Sequence, residues 1–461
     1  MAKKLSVMDA SWLMVESKET PMHVANLATF TVPEHAPAEF MHLLVRRARA
    51  AKNVASPWNL KLKGGILGKL APAWVEDHDV DIDYHFRHLA LPHPGGERQL
   101  GQLVSQIHSQ QLDLTRPPWE CYIIEGLENN RVALYVKMHH SLIDGVSGAR
   151  MLQRIFSNDP LARDIPAFWT VKPNSGSGGR KGKPEGSPLE IAWQQLQMQA
   201  GSMGTALKAL RKLVKRSGNS DDALVGPFAG PVSVLNKRVR QARRFATQQY
   251  DLGEIKALAK KSGGSLNDIV LYLCATSMRR FLKEANLLPK QSLTAGIPVN
   301  IRAADDQGTG NAISFIMAKL GTDVADPLMR LNTIIDSAKE AKDHLQAMPK
   351  AALTQYTMAV MAPYMLELIT GLGGRTRPVF NVTISNVPGP DHALYYNGAK
   401  LEAMYPVSLI AHGGALNITC LSYNGTLNFG FTGCRDTLPH MQRLAVYMGE
   451  ALDELKTLLN P

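Results

Sequence analysis

Two adjacent histidines, His139 and His140, close an apolar run, Ala133-Leu-Tyr-Val-Lys-Met138, and Asp144-Gly145 follows a few residues on. A neutral imidazole, whose unperturbed pKa is about 6.5, accepts a proton at physiological pH, so either ring can serve as a general base. Neighbouring side chains on a strand face opposite ways, so only one of the pair can enter a given cavity. The same geometry argues against both binding one metal ion. Gly145 permits the tight reversal that a β-carbon would hinder. A histidine at a strand end also occurs as an ordinary packed residue. The combination of strand, double histidine, acid and glycine is more specific than that. No G-x-S-x-G elbow, H-E-x-x-H pair or Walker loop is found in the chain, so no active-site nucleophile is suggested.

These residues need a rigid support, and the surrounding pattern supplies one. Val132 to Met138 and Cys121 to Ile124 read as strands, Leu43 to Ala51 and Leu100 to Leu112 as helices, and a further helix opens near Val146. Val171 to Ser187, rich in Gly, Ser, Pro and Lys, reads as a flexible linker. Helix-like pieces follow at Pro188 to Met198 and Thr205 to Arg216. The second piece sets Leu207, Leu210 and Val214 against Lys208, Arg211, Lys212, Lys215 and Arg216, so it is either a surface helix or one that lies in a lipid interface. Beyond it, strands are expected at Ser292 to Val299, Asn311 to Leu320, Phe380 to Ile384, Ala415 to Ser422 and Leu427 to Thr432. Helices are expected at Leu252 to Ser262, Asn267 to Lys283, Asp326 to His344 and Pro439 to Leu459. Interleaved strands and helices on both sides of the linker predict two α/β layered domains, 1–170 and 236–461, joined by a crossover segment 171–235.

Composition limits the remaining classes. At roughly 100–200 residues per domain, 461 residues accommodate such an arrangement. Hydrophobic residues make up 45%, too many for a disordered chain. The four cysteines, Cys121, Cys274, Cys420 and Cys434, form no C-x-x-C pair, which excludes a zinc ribbon and a disulfide scaffold and predicts a reduced, intracellular protein. The net charge of +11 favours anionic partners: nucleic acid, acidic lipid or a phosphorylated ligand. The basic run Arg238 to Arg244 is a candidate patch for a phosphate or a solvated charged face. No helix-turn-helix, zinc finger or RNP-like motif accompanies the charge, so nucleic acid is not expected as a partner. Ala351 to Leu372 is interrupted by Gln355, Pro363 and Glu367 and falls short of the roughly 20 apolar residues a span requires. With no secretory signal at the start, a cytoplasmic protein is expected, with a possible site on the inner membrane or on lipid inclusions.

The His139-His140-x-x-x-Asp144-Gly145 motif resembles the signature of the CoA-dependent acyltransferase superfamily, which includes chloramphenicol acetyltransferase and peptide-synthetase condensation domains. Leu5-Ser-Val-Met-Asp-Ala-Ser-Trp12, Pro21-Met-His-Val24, Pro117-Pro-Trp119, Leu266-Asn-Asp268 and Asn381-Val-Thr-Ile-Ser-Asn-Val-Pro-Gly-Pro390 occur around it in order. Together they resemble the bacterial wax ester synthase/diacylglycerol acyltransferase family over essentially the whole chain. Pro118 departs from that family's Pro-Leu-Trp.

The resemblance implies an α/β fold of two chloramphenicol-acetyltransferase-like layered domains with mixed sheets and an active-site tunnel at their interface. It implies His140 as general base, Asp144 as an ion-pairing brace, and His139 and Gly145 as support. Asn267 becomes an oxyanion donor, with a helix N-cap as the alternative reading. Trp119, Ser385 and Asn386 would line the cleft, and Met358, Met361 and Met365 could form a deformable apolar wall or simply fill the core. The implied reaction transfers a long acyl chain from acyl-CoA, as substrate rather than cofactor, to a fatty alcohol or a diacylglycerol. Neither a resident cofactor nor a metal is expected. Peripheral contact with a membrane or lipid-droplet surface remains open. So do a condensation-type domain, although no carrier-protein segment is evident, and a non-catalytic lipid-surface protein.

Overall fold

The structure, a computed structural model, describes residues 3–5, 7–64, 72–143, 145–171, 223–300 and 313–460. Asp144, the expected helices Pro188 to Met198 and Thr205 to Arg216, and all but the first residue of the expected linker lie outside the described residues.

The first part of the chain forms β1 (Lys3–Lys4), α1 (Val7–Val15), β2 (His23–Thr31), α2 (Phe40–Ala50), β3 (Leu60–Leu62) and β4 (Ala73–Glu76). It continues through α3 (Ile82–His85), β5 (Phe86–Ala90), α4 (Glu97–His108), β6 (Trp119–Leu127), β7 (Arg131–His139) and α5 (Gly145–Ile155). There follow β8 (Arg243–Asp251), α6 (Leu252–Ser262), α7 (Leu266–Glu284), β9 (Thr294–Asn300), β10 (Ile313–Lys319), α8 (Pro327–Gln346), α9 (Lys350–Thr370) and β11 (Val382–Val387). The last part forms β12 (Tyr395–Tyr396), β13 (Ala399–Val407), β14 (Leu416–Tyr423), β15 (Thr426–Cys434) and α10 (Arg443–Leu459).

Two compact units result, and they are not two consecutive halves of the chain. The first comprises Met1–Pro173, Arg238–Ile255 and Asn386–Ala445; the second takes Asn174–Lys237, Lys256–Ser385 and Val446–Pro461. The reason lies in the main sheet of the first unit, ordered β12-β13-β2-β7-β6-β5. Its strand β13 pairs antiparallel with β2, Lys400 opposite Thr31 and Val407 opposite Ala25, so a late segment completes a sheet begun by the N-terminal one. The edge pair β5 and β6 is parallel and the other neighbours run antiparallel, which makes the sheet mixed.

Strand β7 shows how the sequence builds this unit. Val132, Leu134, Val136 and Met138 enter a core with Trp58, Trp119, Phe168 and Trp169. The alternate residues Ala133 and Tyr135 pack with Leu100, Val104 and Ile107 of α4. A strand buried on both faces reads as a continuous apolar run, and this one does from Val132 to Val136, before the buried Lys137. The antiparallel strands β8, β15 and β14 also belong to the first unit. Ser105 Oγ on α4 accepts the Phe245 N–H (2.9 Å), and Ser109 Oγ accepts that of Arg243 (2.8 Å). Two serines four residues apart on one helix face thus satisfy backbone donors of β8 that no strand pairs. At Gly430 of β15 a Cβ would sit 1.9 Å from the Pro406 carbonyl oxygen, so only glycine permits this approach to β13.

In the second unit β9 pairs antiparallel with β10 and parallel with β11. Helix α7 opens on a capping box, Ser265 bonding the Asp268 N–H while the Asp268 carboxylate accepts the Ser265 N–H. Helix α8 starts from the Asp326 cap with Pro327 in its first turn. No helix among the described residues is long and apolar enough to cross a membrane, α9 included, which carries Pro363. All four cysteines are buried free thiols.

Candidate active site

The two histidines leave β7 in different directions. His139 continues the Tyr135–Lys137 side of the strand, is 0% exposed, and stands opposite His23 across the β2–β7 pair. Its Nδ1 accepts the Ser141 N–H (3.2 Å) and lies 2.6 Å from Ser141 Oγ. A nitrogen that accepts a backbone N–H holds a lone pair, so the neutral ring carries its proton on Nε2. That nitrogen faces Glu16 Oε2 at 3.4 Å. Glu16 in turn accepts the Met22 N–H and the Gln111 Nε2–H (2.8 Å).

His140, by contrast, is only half-buried. Its backbone N–H donates to the Met22 carbonyl (2.9 Å), extending the β2–β7 pairing one step past the strand. Its ring lies against the indole of Trp12 on α1, centroids 4.4 Å apart and planes tilted by 34°. One imidazole is therefore embedded in a polar network, and the next is half-buried beside an indole. Gly145 opens α5, and Gly148 lets that helix close on β7, since a Cβ there would meet Met138 Sδ at 2.6 Å.

Beneath the pair runs a buried polar seam. Lys137 is 0% exposed, sits 2.8 Å from Glu120 Oε2, and donates to the Ile107 (3.2 Å) and Gln110 (3.1 Å) carbonyls at the end of α4. Burial lowers the Lys137 pKa, and the Glu120 carboxylate opposes that shift. Glu120 also accepts the Tyr122 hydroxyl (2.7 Å). His23 Nε2 donates to the His108 carbonyl (2.9 Å), and burial holds this ring well below the ordinary histidine value, with His108 and Lys137 adding to the shift. His108 Nε2 donates to the Ser408 carbonyl (3.1 Å) and its Nδ1 accepts from Tyr135 Oη (2.8 Å); burial pushes its pKa down to about 3. These rings are neutral structural elements at physiological pH.

The other expected residues fall as follows. Trp119, expected on a cleft wall, is placed inside the core instead. It is 0% exposed, stacked on His85 and Trp169, and donates its indole N–H to the Trp58 carbonyl (2.7 Å). Asn267 is half-buried in the first turn of α7 and is not its cap, which is Ser265. Ser385 and Asn386 are half-buried on β11, and Asn386 Oδ1 lies 3.5 Å from Cys420 Sγ. Arg243, within the run read as a phosphate patch or a solvated charged face, is 4% exposed and donates to the Gln241 (3.2 Å) and Glu19 (2.9 Å) carbonyls. Among the described residues no group of three or more His, Cys, Asp and Glu side chains could hold a metal ion.

Sequence reasoning did not assign Trp12, Glu16, Met22, His108 or the Lys137–Glu120 pair. Trp12 and Pro21-Met-His-Val24 were visible as motifs, but nothing in their spacing shows that they meet the histidines.

The chain matches two family descriptions, "Wax ester synthase/diacylglycerol acyltransferase catalytic domain" over residues 5–270 and "WS/DGAT C-terminal domain" over residues 309–456. A Mycobacterium tuberculosis protein provisionally named a diacylglycerol O-acyltransferase is 44% identical over 98% of this chain and 97% of its own. O-acyltransferase WSD of Acinetobacter baylyi is 38% identical over 98% and 96%. The solved wax ester synthase/diacylglycerol acyltransferase of Marinobacter aquaeolei VT8 superposes with a TM-score of 0.80 at 36% identity, covering 100% of both chains. The first condensation domain of the CDA synthetase, at 15% identity and a TM-score of 0.60, shares the fold.

Proposed function

The chain belongs to the wax ester synthase/diacylglycerol acyltransferase family, and from that membership we propose that it transfers a long acyl chain from acyl-CoA to a fatty alcohol or diacylglycerol, with His140 as general base. That it is an O-acyltransferase follows from the family; acceptor, chain length and residue roles are the proposal. The observation that carries the choice of base is the contrast in burial at the strand end: His139 is fully buried and accepts the Ser141 N–H on Nδ1, while His140 is half-buried, its ring against Trp12 and its backbone tied to Met22.

The chemistry balances on one imidazole. The His140 ring takes the hydroxyl proton of the acceptor as that oxygen attacks the thioester carbonyl. The tetrahedral oxyanion then expels the CoA sulfur, and the imidazolium returns the proton to it, leaving ester and free thiol. Asn267 is the proposed oxyanion donor, a type of contact whose removal costs about 100- to 1,000-fold in rate. Asp144 is proposed to brace the loop by ion pairing, with His139 and Gly145 holding the strand end. Ser385, Asn386 and the methionines of α9 are proposed to line the substrate path, which must exclude water to prevent thioester hydrolysis.

The test offers purified protein palmitoyl-CoA with hexadecanol, with a diacylglycerol, and with both in competition, and resolves products chromatographically beside free CoA. Ester formed in step with CoA release is expected. CoA release without ester, or product only with an amine acceptor, contradicts the proposal.

A further inference from the structure

Two cavities lie along the seam between α4 and β8 in the first unit, away from the histidines. One encloses about 460 Å³ and is lined in part by Arg98, Gln102, Arg244 and His440. The other, about 330 Å³, has Gln102, Gln106, Arg243, Arg244 and Arg435 in its wall. They share Gln102 and Arg244, so they form one groove. Each falls within the roughly 300–1,000 Å³ usual for a small-molecule site.

The electrostatics of this groove are one-sided. The second cavity has no carboxylate in its lining. The first has only Glu97, whose Oε1 already accepts from Arg131 at 2.8 Å. Arg243 is fixed from behind by main-chain carbonyls, and burial brings its pKa down only to about 10, so it stays cationic. Arg244 Nε is buried without a hydrogen-bond partner. A buried donor left unmatched in a cationic groove is costly unless a ligand supplies the acceptor. Arg435 stands at the rim, 56% exposed, with Asp436 Oδ1 3.4 Å from its Nε.

Buried contacts tie the groove wall to the strand end. Ser109, in the second cavity wall, accepts the Arg243 N–H; its neighbour His108 accepts from His23; and His23 pairs with His139.

We propose that the α4–β8 groove holds the phosphorylated nucleotide end of the CoA donor, with Arg244 and Arg435 as its principal phosphate contacts. The assignment rests on the acyltransferase reading above. Guanidinium groups suit phosphate because their planar fork gives paired, charge-assisted hydrogen bonds. Anionic lipid headgroups share that chemistry, so the experiment must separate the two sources.

The experiment compares wild type with Arg244→Gln, Arg435→Gln and the double variant in three assays. These are turnover of palmitoyl-CoA against the palmitoyl thioester of N-acetylcysteamine, calorimetric binding of adenosine 3′,5′-bisphosphate, and sedimentation with phosphatidic acid vesicles. Arg244→Gln is expected to lower kcat/KM for palmitoyl-CoA about 10- to 100-fold more than for the nucleotide-free thioester, and to weaken bisphosphate binding by a similar factor. Arg435→Gln, at an exposed position, is expected to do the same to a smaller extent, with a thermal melt beside it to confirm folding. Equal effects on both donors overturn the assignment. So does loss of vesicle binding with bisphosphate binding intact, which makes the groove a lipid headgroup site. If wild type uses no acyl-CoA at all, the acyltransferase reading falls and takes the assignment with it; if it does and the variants fail to discriminate, only the groove is reassigned.

Discussion

The imidazole of His140 rests on the indole of Trp12, ring centroids 4.4 Å apart, while its backbone is tied to Met22. Trp12 comes from the first helix and Met22 from the residue before β2, so segments more than a hundred residues upstream set the orientation of the proposed base. Glu16, which accepts the Met22 N–H and faces His139, ties the same helix to the same strand end.

Removing the indole should therefore act on catalysis more than on binding. An aromatic contact of this kind is worth roughly 0.5–1.5 kcal/mol, and misplacing a reactive group by an ångström can cost about 100-fold. Trp12→Ala is expected to lower kcat about 10-fold with KM for palmitoyl-CoA little changed, and Trp12→Phe to recover most of it. Steady-state kinetics beside a thermal melt checks this; wild-type kcat in a folded Trp12→Ala enzyme would show that the contact is incidental.

The Lys137–Glu120 pair is fully desolvated, so its halves are not independent. Lys137→Met takes the nearest cation from the buried Glu120, leaving it the Tyr122 hydroxyl and the more distant Arg87 (3.5 Å), frees the Ile107 and Gln110 carbonyls, and is expected to destabilise the fold by about 3–5 kcal/mol. Lys137→Met with Glu120→Leu removes both charges and is expected to regain most of that loss. Urea unfolding of the single and double variants measures the difference. Additive losses would mean that the pair is not coupled.

The depressed His108 pKa sets a direction for stability against pH. The folded state keeps this ring neutral down to about pH 3, whereas an unfolded histidine protonates near 6.5. Between those values the unfolded chain binds the extra proton. Stability is therefore full above about pH 6.5 and is lost progressively as pH falls toward 3. One such proton contributes a slope of about 1.4 kcal/mol per pH unit, and His23, shifted the same way, adds to it. His108→Gln should flatten the slope of unfolding free energy against pH by about one proton between pH 4 and 6; an unchanged slope would place the titration elsewhere.

Much of the scaffold was legible because its residues obey one local period. Strand β7 reads from its apolar run, and α6 appears in the structure with the bounds that the sequence suggests, Leu252–Ser262. The pleat alone separates His139 from His140; which of them faces outward came from the family resemblance. The misses are residues whose role depends on distant partners. Strand β2, His23–Thr31, is buried on both faces with Ala and Asn among its residues, so no alternation marks it. Strand β8, RRFATQQYD, looks polar because most of its side chains are only half-buried or exposed, and two of its backbone donors are satisfied by Ser105 and Ser109, far away in sequence. Strand β13 contains Pro406, which argues against a strand until its place beside β2 is known. Lys137 reads as a surface charge interrupting an apolar run, and only Glu120 on β6 explains it.

His140→Ala is the decisive variant, because that ring alone is assigned the proton transfer. With folding and binding of palmitoyl-CoA retained, kcat for ester formation should fall about 100- to 10,000-fold, the range for loss of a general base. A folded His140→Ala protein that still makes ester at the wild-type rate would contradict the assignment.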